Sequence, residues 1–350
     1  MDSSTTLLRR TVTVSAAAVA FSFGSVCAAM AQNVTLNGAG ATFPKPIYDR
    51  YFNDPGFKSA TGLTVNYEGI GSGGGIKQFI ADTVDFAGSD AFPKSEDQSQ
   101  MKKGMILVPT AGGAVSVVYN LPGVTNLKLS RSVLPAIFTG EITRWNDAKI
   151  AADNPGVNLP NKPIRLAVRS DGSGTTSIFT KHLAEISSSF KSKVPPGSAP
   201  TWLGNPLSGK GNPGVAALVQ QTEGAIGYVE SAFAEQNKLT TAQVQNKKNR
   251  FVSPTLSEAN TAFGNANFDS SFQTPGLTDP ADGYPIMGVT WLLVKKQYTA
   301  EKAAAVKKMV EWILTQGQNI NGQLGYTKIP TATATAAKNA VNSGVQVAAN

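Results

Sequence analysis

Three short segments of the chain place glycine beside hydroxyl-bearing residues, immediately before a stretch typical of a helix. They are "GATF" around Thr42, "GSGG" around Ser72, and "SGTT", which contributes Ser173, Gly174 and Thr175. Glycine lets the backbone bend sharply, and the first N–H groups of a helix have no partner within it. Such N–H groups bind oxyanions. One such segment alone is more often a simple helix cap, but three in one chain predict an anion-binding site.

Two charged residues precede the third segment. Arg169 and Asp171 stand in "VRSDGSG". A guanidinium can bind an oxyanion through two parallel hydrogen bonds, and a neighbouring carboxylate can hold that guanidinium in place. The alternative is a surface ion pair, which contributes only ~0.2–1 kcal/mol to stability.

A further carboxylate, Asp90, follows the small residues of "DFAGSDAF". A carboxylate repels an anion unless that anion carries a proton. Phosphate is protonated at neutral pH and sulfate is not, so Asp90 could accept a hydrogen bond from phosphate and reject sulfate. A missing partner for a buried polar group can give discrimination on the order of 10⁴. A helix N-cap is an equally open role for Asp90.

Enzyme active sites are poorly supported by the residue types present. The segment "GNPLSGKG" at 204–211 has the spacing of a P-loop, but Gly211 stands where a magnesium-binding Ser or Thr is needed. His182 is the single histidine and is expected on a helix surface, and no serine fits the G-x-S-x-G pattern. We therefore predict no catalytic residue, no metal site and no cofactor.

Apolar runs and helical patterns alternate along the chain. Strands are predicted at 34–38, 63–69, 105–109, 114–121, 163–168, 225–229 and 288–296. Helices are predicted at 44–53, 73–82, 130–138, 173–187, 213–222 and 299–316. This alternation predicts an α/β fold with mainly parallel sheets. A Pro- and Gly-rich stretch at 192–214 is expected to be a long loop. The tail from Thr331 is expected to be a loosely attached helix or a frayed end.

The N-terminal residues predict export. Arg9 and Arg10 precede an apolar stretch, and "AMA" at 29–31 offers an A-x-A cleavage site. We therefore predict a cleaved signal peptide at residues 1–31 and a periplasmic protein. Cys27, the single cysteine, lies within that leader, and we do not expect it to carry a lipid. The remaining chain has a formal charge of +7, which suits an anionic ligand, and no dense Lys/Arg stripe indicates nucleic acid.

Several longer motifs resemble the phosphate-binding proteins of the bacterial high-affinity phosphate ABC transporter. They are "GAGATFP", "VNYEGIGSGGGIKQFIADTVDFAGSDAF", "IFTGEITRWND", "VRSDGSGTTSIFT" and "GAIGYVE". The resemblance implies a two-domain periplasmic-binding-protein fold of type II with the ligand in the interdomain cleft. Domain I would comprise residues 32–110 plus 280–350, and domain II residues 111–279. The resemblance also implies binding of inorganic phosphate without covalent chemistry and delivery to a membrane permease. We expect a monomer.

The resemblance implies that nine residues bind phosphate: Thr42, Phe43, Ser72, Asp90, Arg169, Asp171, Ser173, Gly174 and Thr175. Thr42 and Phe43 would supply backbone N–H groups, and Asp90 would accept the phosphate proton. Arg169 would supply a charged pair of donors. One position departs from the family pattern, because many relatives have a second serine where this chain has Gly73.

Other functions remain open at this point. The first alternative is a receptor for another oxyanion, such as sulfate or molybdate. The second is a secreted phosphate-sensing or adhesive protein, or a weak phosphatase, built on the same fold. Asp90 separates the first alternative from phosphate binding, and the missing nucleophile–base pair argues against the phosphatase.

Overall fold

The computed structural model describes residues 34–264 and 266–348, together with Asp2. The predicted signal peptide, residues 1–31 with Cys27, lies outside these ranges. Residues 33–350 form one compact unit. Within the described ranges, we find no helix with the length and apolar character that a membrane crossing requires.

The strands fall close to the apolar runs of the sequence. They are β1 Thr35–Gly40, β2 Thr64–Gly69, β3 Phe86–Ser89, β4 Ile106–Tyr119, β5 Lys128–Leu129, β6 Arg165–Arg169, β7 Leu207–Gly209, β8 Ala225–Glu230, β9 Thr240–Thr241, β10 Gln243–Gln245, β11 Phe251–Val252, β12 Met287–Val294, β13 Gln297–Tyr298 and β14 Gln346–Val347. Each predicted strand overlaps one of these, whereas the sequence did not predict the short strands β3, β5, β7, β9, β10, β11, β13 and β14.

The helices follow the predicted helical patterns. They are α1 Lys45–Phe52, α2 Pro55–Thr61, α3 Ser72–Ile80, α4 Ser95–Gln100, α5 Val133–Phe138, α6 Ala148–Asp153, α7 Gly174–Ile186, α8 Ser188–Lys193, α9 Gly211–Gln221, α10 Ser231–Gln236, α11 Leu256–Phe263, α12 Ala300–Leu314 and α13 Thr331–Gly344. Each predicted helix overlaps one of these. Capping side chains start several of them; for example, the Ser173 hydroxyl accepts a hydrogen bond at the start of α7.

A single curled sheet runs through the unit in the order β2-β1-β3-β12-β4-β8-β6-β7. The pairs β2–β1, β1–β3, β8–β6 and β6–β7 are parallel, whereas the central pairs β3–β12, β12–β4 and β4–β8 are antiparallel. The expectation of parallel strands is therefore confirmed for the outer strands and wrong for the centre. We call β2, β1, β3 and β12 the first sheet half, and β8, β6 and β7 the second sheet half.

The long strand β4 belongs to both sheet halves. It pairs with β12 through residues 106–114 and with β8 through residues 115–119. The sequence predicted two strands here because Gly112 and Gly113 resemble a break. Both glycines instead make room for packing, since a Cβ at Gly113 would lie 2.8 Å from the Phe43 ring. The predicted domain boundary at 110/111 falls inside this strand.

Two expectations about irregular segments need correction. The stretch 192–214 contains β7, which pairs in parallel with β6, and it also contains the start of α9. The tail from Thr331 is not frayed. It forms α13, which buries Ala334, Ala337 and Val341, and it ends in β14 beside β13. Because Pro and Gly here mark sharp turns around short elements, their density alone did not reveal those elements.

Candidate functional site

The predicted site residues lie at the carboxyl ends of strands from both sheet halves. Thr42 follows β1, Ser72 opens α3 behind β2, and Asp90 follows β3. From the second sheet half, Arg169 ends β6 and Ser173 precedes α7. All five are buried. The carboxyl edge of an α/β sheet is a common ligand position, and here two such edges meet.

Direct hydrogen bonds join the two edges. The Ser72 hydroxyl oxygen accepts from the N–H of Asp90 at 3.2 Å and from the N–H of Gly174 at 3.1 Å. The Gly73 N–H donates to the Gly172 carbonyl oxygen at 2.8 Å. A Cβ at Gly174 would lie 2.5 Å from Asp90 Oδ2 and 2.7 Å from Ser72 Oγ. This close approach therefore requires glycine at position 174.

Arg169 is fixed by Asp171. Its Nε and Nη2 donate to Oδ1 and Oδ2 of that carboxylate at 2.8 and 2.5 Å. The Arg169 side chain is only 1% exposed, so this is not the surface ion pair considered above. Burial would raise the pKa of Asp171, but the hydrogen bonds and charge of Arg169 hold it below its usual value. Arg169 is thus a buried guanidinium held by Asp171, and its Nη1 lies 3.5 Å from the Thr175 hydroxyl oxygen.

The N-terminus of α7 supplies further donors. Ser173 Oγ accepts from the Thr176 N–H at 3.0 Å, and the Gly174 N–H is taken by Ser72. The Thr175 N–H has no hydrogen-bond partner among the residues described. Because the first N–H groups of a helix carry its positive partial charge, this end of α7 attracts an anion.

Asp90 is a buried carboxyl group whose charge is poorly solvated. Burial raises its pKa to about 7, against the smaller lowering effects of Thr290 and Arg169. The Thr290 hydroxyl, from β12, donates to Asp90 Oδ1 at 2.8 Å. At neutral pH the carboxyl therefore exchanges a proton easily, as a partner for a protonated anion must.

Sequence reasoning missed Asn212, which lies at the centre of the site. It is fully buried near the start of α9 and contacts the hydroxyl groups of Thr42 and Thr175. The preceding Gly211 donates its N–H to Asp171 Oδ1 at 2.9 Å. The signal was present in "GKGN", a glycine-rich turn before a helix. The P-loop spacing of this segment does not indicate such a role. Thr290 offered no signal, because it stands within the apolar strand β12.

Phe43 connects the site to a second buried carboxyl group. The Tyr326 hydroxyl lies 2.7 Å from the Phe43 carbonyl oxygen and 2.8 Å from Glu230 Oε2. A tyrosine hydroxyl has one proton and can donate to only one of them. Burial raises the pKa of Glu230 well above its usual value. The raised pKa favours the neutral carboxyl, and in that form Oε2 donates to Tyr326 and accepts the Ala232 N–H while Tyr326 donates to Phe43.

His182 is not on a helix surface as predicted. It is buried, and its Nδ1 lies 2.9 Å from the Thr278 carbonyl oxygen. Burial lowers the pKa of His182 to about 4, so the ring is neutral. The reason is that residues 275–278 cover α7 on this side, which helical periodicity could not reveal. Within the described ranges, no group of three or more His, Cys, Asp or Glu residues is arranged to hold a metal ion.

Comparison with known proteins identifies related chains. Residues 27–316 match the model of the PBP superfamily domain. The chain is 40% identical over 314 residues to the phosphate-binding protein PstS of Pasteurella multocida, covering 87% of this chain and 89% of the relative. It is 38% identical over 306 residues to PstS of Xylella fastidiosa strain Temecula1, covering 85% of this chain and 82% of the relative.

Solved structures show the same fold. The high-affinity periplasmic phosphate-binding protein PfluDING, bound with phosphate, aligns with a TM-score of 0.72 at 22% identity, covering 88% of this chain and 94% of the other. The phosphate-binding protein of Stenotrophomonas maltophilia aligns with a TM-score of 0.69 at 19% identity, covering 87% and 93%. The predicted α/β periplasmic-binding-protein fold is confirmed. The chain belongs to the PBP superfamily and, within it, to the PstS family of phosphate-binding proteins.

Proposed function

We propose that the protein is an extracytoplasmic substrate-binding protein that captures inorganic phosphate and delivers it to the permease of an ABC transporter. The names of its PstS relatives support this function. The observation that carries it is the Asp90 carboxyl, which is buried among hydrogen-bond donors and has a pKa raised to about 7. An anion site with such a carboxyl suits an anion that brings its own proton.

In this proposal, nine residues either donate hydrogen bonds to phosphate or position the residues that do so. Arg169 supplies charged donors, held by Asp171. Backbone N–H groups come from Thr42, Phe43 and the start of α7. Hydroxyl donors come from Thr42, Ser72, Ser173 and Thr175, with Gly174 allowing the two edges to meet. No step forms a covalent bond, because the site needs only hydrogen bonds and charge.

Asp90 provides the discrimination between oxyanions. Hydrogen phosphate donates its proton to the carboxylate, or equally the protonated carboxyl donates to phosphate, so one proton satisfies both groups. Sulfate brings no proton at neutral pH. Sulfate can therefore bind only after Asp90 has taken up a proton from solvent, which becomes less favourable as the pH rises above about 7. Otherwise a sulfate oxygen faces a carboxylate oxygen with no hydrogen between them, in a buried place where an unmatched charge costs several kcal/mol.

Binding isotherms with a phosphate-free preparation test this function. We expect phosphate to bind tightly at pH 7 and sulfate at the same concentration to give no heat. Asp90→Asn is expected to narrow this difference, and Glu68→Gln, a change of an exposed side chain, serves as the control that leaves it intact. Tight sulfate binding by the unmodified protein would contradict the proposal and favour a general oxyanion receptor.

The remaining features of the proposal concern the chain as a whole. Residues 1–31 are removed on export, the protein works in the periplasm as a monomer, and domains 32–110 plus 280–350 and 111–279 close on the ligand. The passage of β4 and the start of β12 near residues 106–119 and 287 supports a hinge there. Mass measurement of the secreted protein and its elution on a sizing column check the first two points. Turnover of a chromogenic phosphate ester would instead indicate a phosphatase.

A further inference from the structure

Asn212 makes four polar contacts although it is fully buried. Its backbone N–H and its Nδ2 both donate to Thr42 Oγ1, each at 3.0 Å. Nδ2 also donates to Thr175 Oγ1 at 3.2 Å, and Oδ1 accepts from the Glu230 N–H at 3.0 Å. Because the Glu230 N–H can only donate, it requires the amide oxygen on its side. The amide nitrogen must therefore face the two threonines.

These contacts decide what the Thr42 hydroxyl can do. A hydroxyl group has one proton to donate and two lone pairs that accept. Both lone pairs of Thr42 Oγ1 are occupied by N–H groups of Asn212. The proton of this hydroxyl is then available only as a donor to another acceptor.

Two more hydroxyl oxygens have protein donors at their acceptor positions. Thr175 Oγ1 receives Nδ2 of Asn212 and lies 3.5 Å from Nη1 of Arg169. Ser72 Oγ receives the N–H groups of Asp90 and Gly174. The lone pairs of each hydroxyl oxygen thus face N–H donors of the protein, and the hydroxyl proton is left for another acceptor. Hydroxyl groups arranged in this way match a ligand whose oxygens are acceptors.

We infer that Asn212 is a positioning residue that presets the hydroxyl groups of Thr42 and Thr175 as donors to the bound oxyanion. The Asn212 amide nitrogen donates to both hydroxyl groups, and Thr42 and Thr175 follow β1 and β6, which belong to opposite sheet halves. It therefore also couples the two edges in the arrangement that holds the ligand. This inference rests on the proposed phosphate binding, and it adds a residue that does not itself need to touch phosphate.

A purely structural role is the competing explanation, in which Asn212 only anchors α9. Double-mutant cycles separate the two. We expect Asn212→Ala to weaken phosphate binding by roughly 3- to 30-fold, the effect of one or two neutral hydrogen bonds. In a Thr42→Val or Thr175→Val background, which has lost one oriented hydroxyl, the same change should cost measurably less. Thr42→Ser keeps the hydroxyl and should restore the full effect of Asn212→Ala.

Asn212→Asp is the second variant, for the case that Asn212→Ala folds poorly. It keeps the shape and the bond to the Glu230 N–H, but it replaces the donor by an acceptor toward both threonines. We expect it to weaken phosphate binding at least tenfold, measured well below the thermal midpoint of the variant, which the buried carboxyl should lower. Equal effects of Asn212→Ala in all backgrounds, or unchanged affinity in both Asn212 variants, would overturn the inference alone. An unmodified protein that binds no phosphate would overturn the proposed function as well.

Discussion

Replacing Asp90 by asparagine is expected to stabilise the ligand-free protein, and to do so more strongly as the pH rises. The carboxyl is buried, and its pKa in the folded protein is about 7 instead of the ordinary 3.8. Asparagine keeps the shape and the acceptor for the Thr290 hydroxyl, which lies 2.8 Å from Oδ1. It removes only the ability to ionise. Ionisation of Asp90 in the ligand-free site therefore destabilises the folded protein, and asparagine at this position avoids that destabilisation.

The magnitude follows from the two pKa values. Below pH 3.8 the carboxyl is protonated in the folded and the unfolded protein, and its ionisation costs nothing. Above that pH the unfolded chain loses its proton first, so the folded state becomes less favourable until the pH passes about 7. For the arrangement in the structure, with the two edges in contact, the gap of roughly three pKa units corresponds to at most about 4 kcal/mol of lost stability above pH 7, because opening of the ligand-free cleft hydrates Asp90. Between pH 5 and pH 8 the change is about 2.5 kcal/mol.

Chemical unfolding of phosphate-free protein at several pH values measures this difference. The free energy of unfolding of Asp90→Asn should exceed that of the unmodified protein by an amount that grows from pH 5 to pH 8. Glu68→Gln, whose side chain is exposed, should show no such trend. A stability difference that stays constant over this pH range would refute the reasoning, because it would mean that Asp90 is ionised throughout.

Three further outcomes are expected. Arg169→Ala should weaken phosphate binding by about 1.5–3 kcal/mol, or roughly 10- to 150-fold, because it removes charge-assisted donors; unchanged affinity by calorimetry would exclude Arg169 from the site. Gly174→Ala should weaken phosphate binding without unfolding the protein, because its Cβ would lie 2.7 Å from Ser72 Oγ and hold the two edges apart; small-angle scattering with phosphate should then show the more open form. Glu230→Gln should lower the free energy of unfolding at pH 7 by about 1 kcal/mol, the loss of one hydrogen bond, because an amide oxygen in place of Oε2 accepts from both Tyr326 and the Ala232 N–H and leaves the Phe43 carbonyl without its donor. A larger loss in denaturant titrations would indicate that Glu230 is ionised.

Much of the site could be predicted from the sequence because its residues stand at positions with a local signature. Ser72 and Ser173 lie in glycine-rich turns before helices, and Arg169 ends an apolar run. Asn212 has the same signature, but a local pattern does not tell which of several helix starts face one another. Thr290 could not be found, since its partner Asp90 is 200 positions away and its neighbours are apolar.

The fold, too, could be predicted where the signal is local, and not where it depends on residues distant in sequence. Apolar runs and helical periodicity located β1, β6 and α7 within a few residues. They failed at β4, where Gly112 and Gly113 resemble a turn although they only make room for aromatic side chains. Whether a glycine bends the chain or accommodates a neighbour depends on residues distant in sequence. The burial of His182 under residues 275–278 was hidden for the same reason.

The place of β12 in the sheet has a consequence for the order in which the chain can fold. β12 lies between β3 and β4, yet it is synthesised only after the whole second sheet half. A growing chain therefore has β3 and β4 without the strand that joins them, and the first sheet half cannot close early. Contacts between such distant residues also form slowly. Synthesis order thus delays closure of the first sheet half until the chain is nearly complete.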